Sequence, residues 1–224
     1  MERVFEDRVE AGRALALALG RRHDLQGAIV LGLPRGGVPV AFEIAQALGL
    51  PLDVLVVRKL GLPWQPELAM GAIASGGAVV LNEDVVRLAG RDEKVLEQVQ
   101  QQELAELARR EHAFRGSRPP LAVKGRAAIV VDDGLATGAT MEAAVRALRA
   151  LGALRVVVAV PVASVEARER IQAVADEVVC LEAPWRFSAV GQWYRDFAQT
   201  SDAEVTELLG RASLGTTADP RSRT

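Results

Sequence analysis

Short, predominantly apolar runs alternate along this chain with Ala-rich segments of helical period. The runs are "GAIVLGL", "PLDVLVVRK", "AAIVV", "RVVVAVPV" and "EVVCLEAP". A strand that is apolar at every position must be covered on both faces, whereas a half-exposed strand alternates. Runs of this kind separated by helices predict an α/β fold, a central parallel sheet flanked by helices. The helices are expected at about 6–23, 38–48, 85–112, 139–151 and 164–175. Residues 60–77, dense in Gly and Pro, read as an extended loop or hairpin with "AVVLNED" as its return strand. Parallel sheets take ligands at the carboxyl ends of their strands, so the loops after Leu33, Val57 and Val131 should converge on one crevice.

Bulk properties narrow the function. The 224 residues suffice for one α/β domain, and a net charge of −2 offers no global field for nucleic acid or an anionic membrane. The single cysteine, Cys180, closes an apolar run; it excludes an intramolecular disulfide and reads as a packed strand residue. No apolar run reaches about 18 residues, so neither a membrane span nor a signal peptide is expected, and the expected compartment is the cytoplasm. His23 and His112 fall outside every motif. The polar segment 213–224 reads as a disordered tail.

Within "AAIVVDDGLATGAT", 127–140, an apolar strand runs into two adjacent carboxylates and then into a small, hydroxyl-rich turn. Two ionised carboxylates about 5 Å apart repel by roughly 3 kcal/mol at an effective dielectric of 20, so the pair calls for cations or hydroxyl donors. The helix start near Gly138 leaves backbone N–H groups unpaired, and Thr137 and Thr140 add side-chain donors, which together make an anion site. There is no G-x-x-x-x-G-K-[ST], so the turn is not a P-loop. "GLPRGG", 32–37, lies between a strand and a helix, and Arg58-Lys59 closes a strand with one of only three lysines.

The 127–140 segment resembles the phosphoribosyl-pyrophosphate signature of the type I phosphoribosyltransferases, above all the adenine-phosphoribosyltransferase version, which also carries "LATG". Gly134 departs from the usual aliphatic there. The resemblance implies that Asp132 and Asp133 serve the ribose hydroxyls and catalysis, while Ala136, Thr137, Gly138, Ala139 and Thr140 cradle the 5′-phosphate. It assigns "GLPRGG" to the pyrophosphate loop, with N–H groups of Arg35, Gly36 and Gly37 as donors. Arg58 or Lys59 is the basic residue on the diphosphate. It also places a mobile flap at 60–77, whose one acid, Glu67, could move a proton, though a solvated glutamate is the simpler reading.

The aromatic-rich segment 183–197 corresponds to the family's hood and faintly resembles that of the hypoxanthine-guanine members. Trp185 and Phe187 are its candidates to stack on a base. The expected organisation is one domain over 1–212, with a core of about 25–182 and a hood of about 183–200 joined by the N-terminal helix. The expected reaction moves ribose 5-phosphate from phosphoribosyl pyrophosphate to a nitrogenous, purine-like or other nucleobase acceptor, releasing diphosphate. Mg²⁺ would be held chiefly by substrate oxygens, with Asp132 and Asp133 as the protein's candidate ligands. A homodimer is expected, with no nucleic acid or membrane partner. The alternative is a non-catalytic sensor of phosphoribosyl pyrophosphate with the same fold.

Overall fold

Apolar side chains on successive residues of each central strand point to opposite faces, and both faces are covered. Val30, Ile129, Val131, Val157 and Ala159 enter one core, and Ile29, Leu31, Val130, Val156 and Val158 enter the other. The strands are β1 (Ile29–Gly32), β2 (Leu52–Val54), β6 (Ala127–Val131), β7 (Arg155–Val162) and β8 (Glu177–Glu182), in the order β2-β1-β6-β7-β8 and parallel throughout. The computed structural model describes residues 4–20, 23–88, 93–119 and 122–216. Helices α1 (Arg8–Leu19), α2 (Gly37–Leu48) and α7 (Asp202–Thr216) pack on one face, and α5 (Ala139–Ala150) and α6 (Val165–Gln172) on the other. The order reverses direction at β1, so the switch point lies between β1 and β6.

The expected second strand, 51–59, is two strands in two sheets. After β2 the chain leaves the parallel sheet at Leu55-Val56, and β3 (Val57–Leu62), β4 (Gln65–Ala74) and β5 (Ala78–Leu81) form an antiparallel sheet. The buried Ser75 pins the departure: its N–H donates to the Val56 carbonyl, and its Oγ accepts from the Val56 N–H at 2.9 Å. Arg58 and Lys59 therefore sit in the hairpin sheet rather than at the end of a central strand. The 60–77 segment is mostly strand, with the return strand where "AVVLNED" begins. The Glu67 side chain lies outside the described residues.

Between the hairpin sheet and β6 run α3 (Glu83–Leu88) and α4 (Glu93–Arg115). Val99 and Leu107 of α4 are buried, while Leu104 is exposed. Arg115 anchors the helix end through two donors to the Asp53 carboxylate at 2.9 and 3.0 Å. Helix α7 has no counterpart among the expected elements. It buries Val205 and Leu209 against the α2 face and carries residues 213–216, expected in a disordered tail, as helix; 217–224 lie outside the described residues. Among the described residues no helix is long and apolar enough to cross a membrane.

Candidate active site

At the switch point the turn after β1 and the turn after β6 are pressed together, and two glycines permit it. A Cβ on Gly36 would lie 1.9 Å from Asp133 Oδ2, and one on Gly37 would lie 2.5 Å from the Val131 carbonyl oxygen. No other residue type tolerates that approach. The Leu33 N–H donates to the Val131 carbonyl at 2.9 Å and extends the pairing of Gly32 with Val131 into the turn. The Pro34–Arg35 peptide is cis. The Gly37 N–H is not a free donor, because α2 begins there and the amide donates to the Leu33 carbonyl at 3.0 Å. Of the three amides expected to face an anion, those of Arg35 and Gly36 have no protein acceptor among the described residues, and Gly37 contributes closeness instead. The Arg35 side chain lies 3.7 Å from Asp202 at the start of α7, an exposed pair of small energetic weight.

The acidic pair at the end of β6 is unequal. Asp133 Oδ2 accepts from Arg8 Nε at 2.9 Å and forms an ion pair with Nη2 at 2.8 Å. Asp132 forms no ion pair among the described residues; its Oδ1 accepts the Asp133 N–H at 2.9 Å, and its carboxyl meets the Asp133 carboxyl. Burial, reinforced by the neighbouring Asp133 carboxylate, pushes the Asp132 carboxyl well above the usual range. Burial also raises Asp133, and the Arg8 guanidinium pulls it back. The Tyr194 hydroxyl donates to the Asp133 carbonyl at 2.6 Å, and burial together with the acidic pair raises its own pKa.

The following turn presents its backbone. Gly138 precedes α5 at φ +73°, a conformation glycine adopts without strain, and no side chain caps the helix. The amides of Ala136, Thr137, Gly138 and Thr140 donate to no protein acceptor among the described residues; the Ala139 amide makes a long contact, 3.4 Å, with Thr137 Oγ1. Such a helix start carries unpaired donors and the positive end of the dipole. Ser164 fixes the turn from behind. Its N–H donates to the Leu135 carbonyl, its hydroxyl donates to the Ala136 carbonyl at 2.8 Å, and its Oγ caps α6 by accepting the Ala167 N–H. Gly134 is small because Val190 of the aromatic-rich 183–197 segment fills its place: a Cβ there would meet Val190 Cγ1 at 2.6 Å.

The two basic candidates separate. Arg58 Nε donates to Glu103 of α4 at 2.6 Å, so this guanidinium is already engaged. Lys59, on the opposite face of β3, is exposed and forms no ion pair among the described residues. It shares a cavity of about 440 Å³ with Ala139 and with Arg170 of α6. Phe187 is half-buried in a cavity of about 430 Å³ beside Ala136, Thr137 and Ser164, whereas Trp185 is 90% exposed and does not line it. The other aromatic residues of the segment are structural. Trp193 and Tyr194 pack with Phe5 in a small core, and Tyr194 stacks on Phe197 at 5.0 Å.

Arg8 and Ser164 escaped the sequence reading. Ser164 had a local signal, a serine opening the helical run "SVEARERIQ". Arg8 had none, since its partner lies 125 positions away.

A family model described as phosphoribosyl transferase domain matches residues 8–194. Proteins of two Mycobacterium tuberculosis strains, each named "Putative phosphoribosyl transferase", are 53% identical over 210 residues, covering 94% of this chain and 47% of theirs. The chain thus spans about half the length of these relatives. The crystal structure of a Thermus thermophilus protein, TT1426, shares 48% identity, covers 92% of this chain and 97% of that one, and superposes with a TM-score of 0.82. With a family match over residues 8–194, well over half of the chain, and 48% identity to a structure covered to 97%, this chain belongs to the phosphoribosyl transferase family.

Proposed function

We propose that the protein transfers ribose 5-phosphate from phosphoribosyl pyrophosphate to a nitrogenous base and releases diphosphate. The observation that carries this reading is the meeting of three features at one switch point: an acidic pair, a glycine turn pressed against it, and a helix start with free amides. The amides of 136–140 and the hydroxyls of Thr137 and Thr140 take the 5′-phosphate. Asp132 and Asp133 take the ribose hydroxyls. The amides of Arg35 and Gly36, with Lys59, face the diphosphate.

In the reaction the bond from the anomeric carbon to the diphosphate oxygen breaks, and a bond to the acceptor nitrogen forms with inversion. Positive charge grows on the ribose while the diphosphate leaves. The acidic pair stabilises that charge once Asp132 has given up its proton, and Asp133, held by Arg8, is fixed beforehand and costs no reorganisation at the barrier. Phe187 supplies an apolar face for the acceptor beside Ala136. Asp132 and Asp133 are hard oxygen donors and one of them lacks a cation partner, a donor set that suits Mg²⁺. Among the described residues no group of three or more His, Cys, Asp or Glu could hold a metal, so further positions around the ion fall to substrate and water. The chemistry that Mg²⁺ supplies when bound is neutralisation of the diphosphate charge. A homodimer belongs to the same reading.

The test is Mg²⁺-dependent diphosphate release from phosphoribosyl pyrophosphate across a panel of purine and pyrimidine bases. Fixed electrostatic groups of this kind contribute about 10²–10³ in rate each, so Asp132→Asn with Asp133→Asn should abolish turnover while circular dichroism stays native. Full turnover in that double variant would refute the reading.

A further inference from the structure

Arg8 reaches into the proposed site from the first turn of α1, and its guanidinium is shared among three parts of the molecule. Its Nε donates to Asp133 Oδ2 at 2.9 Å, and its Nη2 lies 2.8 Å from the same oxygen as an ion pair. The third nitrogen, Nη1, donates to the Ala198 carbonyl at 2.8 Å. The plane of the group lies over the Phe197 ring, 4.0 Å from its centroid. A Cβ on Gly36 would stand 3.3 Å from Arg8 Nε, so the guanidinium also flanks the turn after β1. Only 12% of the Arg8 side chain and 15% of the Asp133 side chain meet solvent, so salt screens the pair little.

The opposite edge of the same aspartate is held as well. Tyr194, whose hydroxyl donates to the Asp133 carbonyl, is carried by a parallel bridge to Phe5, and the Arg195 and Asp196 amides donate to the Phe5 and Glu6 carbonyls. The segment that delivers Arg8 is thus the segment that fastens the hood. A planar fork can satisfy Asp133, Ala198 and the Phe197 face at once, and a lysine ammonium, a point charge on a flexible stem, cannot.

We propose that Arg8 is a positioning residue: it occupies Oδ2 of Asp133, leaves Oδ1 to the ribose, and locks this carboxylate to the 193–198 segment, so that sugar and acceptor subsites are set by one side chain. The inference rests on the reading that Asp133 serves the ribose. It assigns Arg8 no contact with substrate. A generic buried ion pair is often replaceable by apolar groups at no loss of stability; here the carboxylate itself is the group that must be aimed.

The experiment is a double-mutant cycle on the affinity for phosphoribosyl pyrophosphate with Mg²⁺, measured by titration calorimetry on the full chain. Arg8→Met and Asp133→Asn should each weaken binding about 10- to 100-fold, the range of a hydrogen bond to a charged group. The double variant should bind no worse than the weaker single, because Arg8 acts through Asp133. Arg8→Lys should fall between wild type and Arg8→Met, and it carries the same test in the Asp133→Asn background if Arg8→Met does not fold. Losses that multiply would overturn the inference, since an arginine that only anchors α1 would cost the same with or without the carboxylate. Wild-type affinity in Arg8→Met or, failing that, in Arg8→Lys would overturn it too. Failure of the wild-type protein to bind phosphoribosyl pyrophosphate at all gives a different pattern, overturning the proposed function and this inference with it.

Discussion

Asp132 sits in a corner with a second carboxylate beside it and no cation of its own among the described residues, so its folded-state proton affinity is high. The sign of the consequence follows from linkage. A carboxyl whose folded pKa lies above its unfolded value keeps its proton through a pH window in which the unfolded chain has lost it. The stability this lends is present below the ordinary carboxylate pKa and is lost as pH rises toward the raised folded value. Asp132→Asn stays neutral at every pH and can still accept the Asp133 N–H. The unliganded variant should therefore melt at a higher temperature than wild type at pH 7, with the difference closing as pH falls into the usual carboxylate range. Thermal melts from pH 3 to 8 check this, and a variant that melts lower at neutral pH would contradict the burial argument. Strained polar corners of this sort concentrate at functional sites, where stability yields to chemistry.

At the scale of elements, the β3 strand divides labour between two adjacent basic residues. Alternation along a strand sends neighbours to opposite faces, so Arg58 meets Glu103 on α4 while Lys59 faces the cavity that includes Ala139. Lys59→Met should weaken binding of phosphoribosyl pyrophosphate about tenfold or more, the scale of one charged hydrogen bond. Arg58→Met should change that affinity far less and cost about 1 kcal/mol or below in stability, as a partly exposed pair does. Calorimetric titration and denaturant melts of the two variants read both quantities, and equal affinity losses would remove the distinction. The same alternation explains a limit of pattern reading. "PLDVLVVRK" is continuously apolar across a point where the chain changes sheets, and hydropathy is blind to which sheet a residue joins.

Across the whole molecule, residues 5 and 194 form a bridge that closes the fold on itself and supports the acidic pair. Phe5 is wholly buried against Trp193 and Tyr194. Phe5→Ala should cost about 3–5 kcal/mol by the usual scale for a buried phenylalanine. It should also raise hydrogen exchange at 190–198 more than at β1 or β6, which a mass-resolved exchange experiment would show. Uniform loss of protection would mean that this clasp is not a separable unit.

The parallel sheet, the acidic pair, the glycine turn and the helix start that follows the pair were all legible in the sequence, because each is local: apolar runs of strand length, a helix start, glycines where backbones touch. Helix α7 went unseen, since its apolar positions acquire meaning only against the α2 face. Tertiary structure alone decided which amides stay free, which of Arg58 and Lys59 is spoken for, and that an arginine near one end of the chain holds Asp133. Those outcomes depend on contacts between residues far apart in the chain. Hydropathy and spacing report how a segment packs, and carry no record of the partner it meets.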